Sequence, residues 1–198
     1  MSSIFRPDLM AGQVVVVTGG GSGIGKRIAE ECLSLGARVA IGARKDERLQ
    51  AAAVELRERG EVHAAPLDIR DRDSVDAWVA TVEAEFGPID VLVNNAGGQF
   101  PSPALGISPK GWRAVIDTNL NGTWNMTQAV GAAMVGRGKG KIISIVANMW
   151  RGFPGMAHTG AARAGVVNLT KTLALEWATS GVLVNAIAPG VIKSSGLD

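Results

Sequence analysis

The chain has 198 residues, 46% of them hydrophobic, which suffices for one buried α/β core and requires no second domain. Its 20 basic and 18 acidic side chains leave a net charge of +2, too balanced to form an electrostatic footprint for nucleic acid. Residues 1–13 contain no long apolar segment, so neither a signal peptide nor a membrane span is expected.

Residues 14–17 are four valines, too few and too β-branched for a helix, and predict a buried strand. Gly19, Gly23 and Gly25 follow in a Gly-x-x-x-Gly-x-Gly spacing. Ile24, Ile28, Ala29, Cys32 and Leu33 then recur at helical intervals, and Gly36 is placed to stop that helix. A strand, a glycine turn and a helix start together make a phosphate site. The free N–H groups of the first helical turn attract an anion, and glycine lets the backbone approach it. Cys32 lies on the inner stripe of the helix, where packing is its expected role. As the only cysteine it can form no internal disulfide, and a cytoplasmic setting is expected.

A second strand is expected at 37–43, followed by a helix with Leu49, Ala52, Ala53 and Leu56 on one face. A third strand ends at Leu67, and its helix carries Val75, Trp78, Val79, Val82 and Phe86. The fourth strand, 89–93, runs into Asn94-Asn95-Ala96-Gly97, and the irregular stretch 97–110 is expected to border a site. A longer helix across Val115, Met126, Val130 and Met134 leads to a fifth strand at 141–146. A helix over 161–178 and a sixth strand at 182–187 complete the series. Such alternation predicts a three-layer, doubly wound parallel α/β sheet of the Rossmann type, with strand order 3-2-1-4-5-6.

Thr18-Gly19-x-x-x-Gly23-Ile24-Gly25, Asp68, Asn94-Asn95-Ala96-Gly97, Asn119 and Pro189-Gly190 occur in the order of the short-chain dehydrogenase/reductase family. The chain resembles that family from residue 13 to about 195. The resemblance implies a dinucleotide held by Gly19, Ser22, Gly23, Ile24 and Gly25 at its pyrophosphate, and by Asp68 and Ile69 at its adenine. Asn95, Ala96 and Gly97 would form a wall beside it, with Asn119 and Arg163 further along. Pro189, Gly190, Ile192 and Ser194 would hold the nicotinamide carboxamide. The resemblance further implies pairing into homodimers or homotetramers through the helices around 115–134 and 159–178. The family adds a covering segment and a seventh strand after the sixth; without them a strand edge is bare, so either the polypeptide is expected to continue past Asp198 or another subunit covers that edge.

The second strand ends Ala43-Arg44, about 20 residues past the glycine turn, where the ribose hydroxyls are expected. An acid there would accept from the 2′-OH of NAD. Arg44 instead can pair with a 2′-phosphate, so NADP is the expected cofactor.

The catalytic positions depart from the family pattern. The chain contains no tyrosine, and Ala147, Thr159 and Arg163 stand where the family carries serine, tyrosine and lysine; Asn119 alone is retained. A narrower resemblance, to peroxisomal trans-2-enoyl-CoA reductases, rests on Gly97-Gly98-Gln99-Phe100, Lys110-Gly111-Trp112, the run from His158 to Gly165 and the run from Asn168 to Ala178. Some of that group place a tyrosine four residues before the lysine matching Lys171; here the position is Val167. An acyl thioester is therefore the expected substrate, with Asn119, Thr159 and Arg163 at the site.

Hydride addition to the β-carbon of an enoyl thioester leaves an enolate oxygen. That oxygen needs hydrogen bonds more than a strong acid, and Thr159 can supply one. Carbonyl reduction or alcohol oxidation, and a catalytically silent dinucleotide binder, remain as alternatives. His158, next to Thr159, is a candidate acid but is expected to be exposed, and His63 is expected to be structural, with no partner in view. Met149, Trp150 and Phe153 are candidates for an acyl pocket, Gln99 and Arg151 for a CoA phosphate, and Lys171 for a solvated side chain.

Overall fold

The computed structural model describes residues 4–192. Six strands alternate with six α-helices: β1 (Val14–Thr18), α1 (Gly23–Ser34), β2 (Arg38–Ala43), α2 (Asp46–Arg57), β3 (Val62–Pro66), α3 (Arg72–Phe86), β4 (Val91–Asn94), α4 (Pro109–Ile116), α5 (Gly122–Arg137), β5 (Gly140–Ile145), α6 (Ala157–Glu176) and β6 (Val182–Ile187). The sheet is parallel throughout, in the expected order β3-β2-β1-β4-β5-β6.

The valine run of β1 explains itself in this setting. Val14 and Val16 point into one apolar cluster with Trp78, Val82, Leu92 and Met126, while Val15 and Val17 point into another with Leu33, Ile41, Leu49 and Ile145. A parallel sheet is covered on both faces, so both sets of alternating positions must be apolar. β1 and β4 are neighbours although α1 to α3 lie between them in sequence. The chain therefore reverses its winding at this pair, and a crevice opens at their carboxyl ends.

Two helices differ from expectation. The long helix predicted across residues 115–134 is divided: α4 runs into a π-helical turn, Asp117–Asn121, before α5 begins. One extra residue per turn is a local distortion that hydrophobic periodicity does not reveal. Helix α6 starts at Ala157, four residues earlier than expected. Met156 at its N-cap provides no side-chain acceptor; the ring of His158 instead accepts the Thr159 N–H at 2.8 Å, a bond within the helix's own first turn.

No helix among the described residues is long and apolar enough to cross a membrane.

Candidate active site

The glycine turn closes β1 onto α1. Gly19 (φ +69°) and Gly23 (φ +53°) occupy left-handed backbone that other residues rarely adopt, and the Gly19 N–H donates to the Gly42 carbonyl at 2.7 Å. A Cβ on Gly25 would overlap Asn95 Nδ2 and come within 2.6 Å of the Gly19 carbonyl oxygen. Helix α1 thus packs close against the loop after β4. Its N-cap, Ser22, makes no side-chain cap bond, and its first turn contains no acidic residue. The turn therefore offers free N–H groups and no competing carboxylate, which is what an anionic ligand requires.

Beside the turn lies a cleft of about 440 Å³, lined among others by Gly19, Ser22, Gly23, Arg44, Asp68 and Asn95. A second cleft of about 800 Å³ adjoins it along α1 and reaches Pro189 and Ile192. Ile24 borders both clefts, and Ile69, Ala96 and Gly97 line the smaller one. Thr18 anchors the wall between β1 and β4. It is buried, and its Oγ1 accepts the N–H groups of Asn95 and Ala96, each at 3.0 Å. Asn95 returns a bond from Nδ2 to the Thr18 carbonyl at 2.9 Å. Sequence reasoning placed Thr18 in a motif without giving it a task. The available signal was a hydroxyl ending an all-valine strand, where packing alone asks for none.

Where Asp68 lines the cleft, Arg70 donates from Nε and Nη2 to its carboxylate, which also accepts the Arg70 N–H. The Arg70 guanidinium holds the Asp68 carboxyl below its usual range, despite partial burial that opposes the shift, and Arg44 adds a smaller pull in the same direction. Arg44 is exposed, with Lys45 and Arg48 on the same cleft.

At the far end, the π-helical turn carries Asn119, which is fully buried. Its Nδ2 donates to the carbonyls of Gly98 (2.6 Å) and Val115 (2.8 Å), and its Oδ1 accepts the Gly98 N–H at 3.4 Å. Asn119 thereby pins the loop after β4 to α4. Arg163 reaches across from α6, and its Nη1 donates to the Ile145 carbonyl at 2.9 Å. Burial pushes its guanidinium down to about 10, still charged at neutral pH. The structure thus brings Asn119, Arg163 and Gly97 together. Ser194 lies outside the described residues.

Thr159 and His158 are both fully buried in the first turn of α6. The burial of His158 corrects the expectation of an exposed ring: Phe100, from the loop after β4, packs on it with ring centroids 4.5 Å apart at 77°. The Thr159 N–H donates to His158 Nδ1 at 2.8 Å, and the Thr159 hydroxyl lies 3.3 Å from the same nitrogen. An amide can only donate, so Nδ1 is the acceptor and the ring proton resides on Nε2.

His63, expected to be structural, has a partner that the sequence did not bring into view. Glu85 lies 2.6 Å from its Nδ1, and the ring stands edge-on to Trp78 and Phe86. Of the apolar candidates, Met149 is buried against Val146 and Val166 with Phe153 beside them, whereas Trp150 is exposed. Gln99, Arg151 and Lys171 are exposed.

A crevice at a strand-order reversal, floored by a glycine turn and flanked by an asparagine-bearing wall, has the form of a nucleotide site in a doubly wound fold. The sequence profile of the short chain dehydrogenases matches residues 13–198, and the chain belongs to that family, whose members bind a nicotinamide dinucleotide. Over 191 residues it is 37% identical to a probable 2,4-dienoyl-CoA reductase [(2E)-enoyl-CoA-producing] of Bacillus subtilis, covering 94% of this chain and 75% of that one. Among solved structures it is similar to the citronellol catabolism dehydrogenase AtuB of Pseudomonas aeruginosa PAO1 (TM-score 0.91, 47% identity, 96% of this chain and 79% of that one). It is also similar to an actinorhodin polyketide ketoreductase with NADPH (TM-score 0.90, 38% identity, 92% and 72%). The chain spans about three quarters of the length of these relatives.

Proposed function

We propose that this short-chain oxidoreductase is an NADPH-dependent reductase of enoyl thioesters. The observation that carries the reading is the bond from the Thr159 N–H to His158 Nδ1. Where a carbonyl reductase needs a strong acid, this chain has a threonine whose neighbouring ring nitrogen bears no proton. Such a position can hydrogen-bond a developing oxyanion but cannot readily protonate an alkoxide. An enoyl thioester asks only for the hydrogen bond, because its negative charge spreads into an enolate of low basicity. Likeness to a dienoyl-CoA reductase supports the same substrate class.

The cleft residues fit a phosphorylated dinucleotide. The uncapped start of α1 suits the pyrophosphate, and Arg44, with Lys45 and Arg48 nearby, suits a 2′-phosphate. When bound, the cofactor supplies the hydride that goes to the substrate β-carbon. In this reading Thr159 donates to the thioester oxygen, Arg163 holds the cofactor ribose and adds positive charge, and Asn119 fixes the loop that walls the site. The single Nδ1 lone pair is already taken by the amide at 2.8 Å, so the hydroxyl at 3.3 Å is free to turn towards a ligand. Pro189, Gly190 and Ile192 would approach the carboxamide end. Pairing into a homodimer or homotetramer through α4, α5 and α6 belongs to the same proposal.

The ketoreductase likeness favours a second reading, carbonyl reduction. Following NADPH absorbance with trans-2-enoyl-CoA esters of several chain lengths and with the matching ketones separates the two. Consumption with the enoyl esters is expected. Consumption with ketones alone would overturn the proposal, and none with either would leave a dinucleotide-binding protein without this chemistry.

A further inference from the structure

We infer that His158 is a second oxyanion donor of this site, presenting its Nε2–H to the thioester oxygen of the substrate; the inference rests on the enoyl-thioester reading above. The proton is placed on Nε2 by the Thr159 N–H, which occupies Nδ1. Nε2 is buried and has no hydrogen-bond partner among the described residues; His63 Nε2 and Asn94 Oδ1 share that condition, but of the three only His158 adjoins Thr159. A ring donor stripped of water without a replacement is destabilising, and an apolar side chain would pack beside Phe100 without that cost. The unmet donor is therefore explained by a partner that arrives with the substrate.

The surroundings agree. His158 adjoins Thr159 in the first turn of α6, and Arg163 lies about one turn further along the same helix. Phe100 covers the imidazole from a loop that also carries Gly97 and Gly98. That loop is joined to the segment after β5 by the Ser102 N–H, which donates to the Gly155 carbonyl at 2.7 Å. His158 thus sits where the loops after β4 and β5 meet, next to Thr159. A neutral imidazole N–H is a poor acid and a good hydrogen-bond donor, which suits an enolate that must be held rather than protonated at oxygen. No proton leaves Nε2 in this role. The α-carbon takes its proton from water.

The test uses the whole chain with NADP bound. Imidazole ¹⁵N–¹H NMR follows the His158 Nε2–H while trans-2-hexenoyl-CoA is added. The ring proton is expected on Nε2, with its resonance moving as the thioester saturates. A proton found on Nδ1, or a resonance that does not move, overturns the inference. Kinetics give a second readout. His158→Leu is expected to lower kcat about 100-fold with little change in KM, and His158→Gln, which keeps a side-chain N–H donor, to recover most of that loss. Equal rates for the parent and His158→Leu would also overturn it. If His158→Leu does not fold, the NMR experiment on the parent protein decides alone. Failure of the reductase reading looks different: the parent consumes no NADPH with any enoyl ester, whether or not the resonance moves.

Discussion

Arg163 and Gly97 meet so closely that a Cβ on the glycine would overlap the guanidinium Nη2. The same Cβ would lie 2.8 Å from Asn119 Oδ1, so one missing methyl group lets an arginine from α6 and an asparagine from the π-helical turn share the wall after β4. Helices remote in sequence are brought to the same point, and the site depends on their fit.

Gly97→Ala should therefore act on function as well as on folding. The new methyl displaces Arg163 or the loop at a cost of about 1–3 kcal/mol. NADPH affinity, measured by fluorescence titration, is expected to fall at least about tenfold, the equivalent of about 1.4 kcal/mol. An unchanged affinity would show that the contact does not matter.

Gly25→Ala tests the glycine turn. Its methyl meets the Gly19 carbonyl oxygen, which is backbone, and the Asn95 side-chain amide, which is held by its bond to the Thr18 carbonyl. We expect a loss of about 1–3 kcal/mol of stability, a Tm lower by about 2–10 °C and no measurable dinucleotide binding. Calorimetry of both binding and unfolding checks each part.

Arg44→Asp should reverse cofactor preference. The exposed guanidinium is replaced by a carboxylate that repels a 2′-phosphate and can accept from a ribose hydroxyl. The parent is expected to bind NADPH more tightly than NADH, and the variant the opposite, by isothermal calorimetry. Equal affinities in the parent would refute the role of Arg44.

Thr159→Val removes the hydroxyl but leaves the amide bond to His158 in place. Turnover of an enoyl thioester is expected to fall about 10²–10³-fold, as for other lost oxyanion donors. Thr159→Ser should keep most of the activity.

Acid stability follows from the Asp68–Arg70 pair. The folded carboxyl titrates below its unfolded value of about 3.9, so the pair stabilises the fold above that pH, and the contribution is lost as pH falls through the lower, folded value. The Asp68 side chain is partly exposed, so the effect is about 1 kcal/mol or less. Asp68→Asn should therefore show a smaller stability loss between pH 7 and pH 3 than the parent, measured by urea unfolding.

The sequence by itself determined the sheet. Four valines ending in Thr18 and Gly19 fit a strand covered on both faces that leads into a glycine turn, and all six strands lie within two residues of their expected places. The reason is local: strand, turn and helix preferences are written in neighbouring residues. The state of Asn119, Thr159 and His158 was not legible in the same way. Hydrophobic spacing says nothing of a π-helical turn, and a histidine beside a predicted loop carries no sign that Phe100, 58 positions earlier, will cover it. Only tertiary packing buried that ring beneath Phe100; the bond from the Thr159 N–H to its Nδ1 is local to the first turn of α6. Burial depends on which distant segments meet, and here the loops after β4 and β5 meet over the first turn of α6.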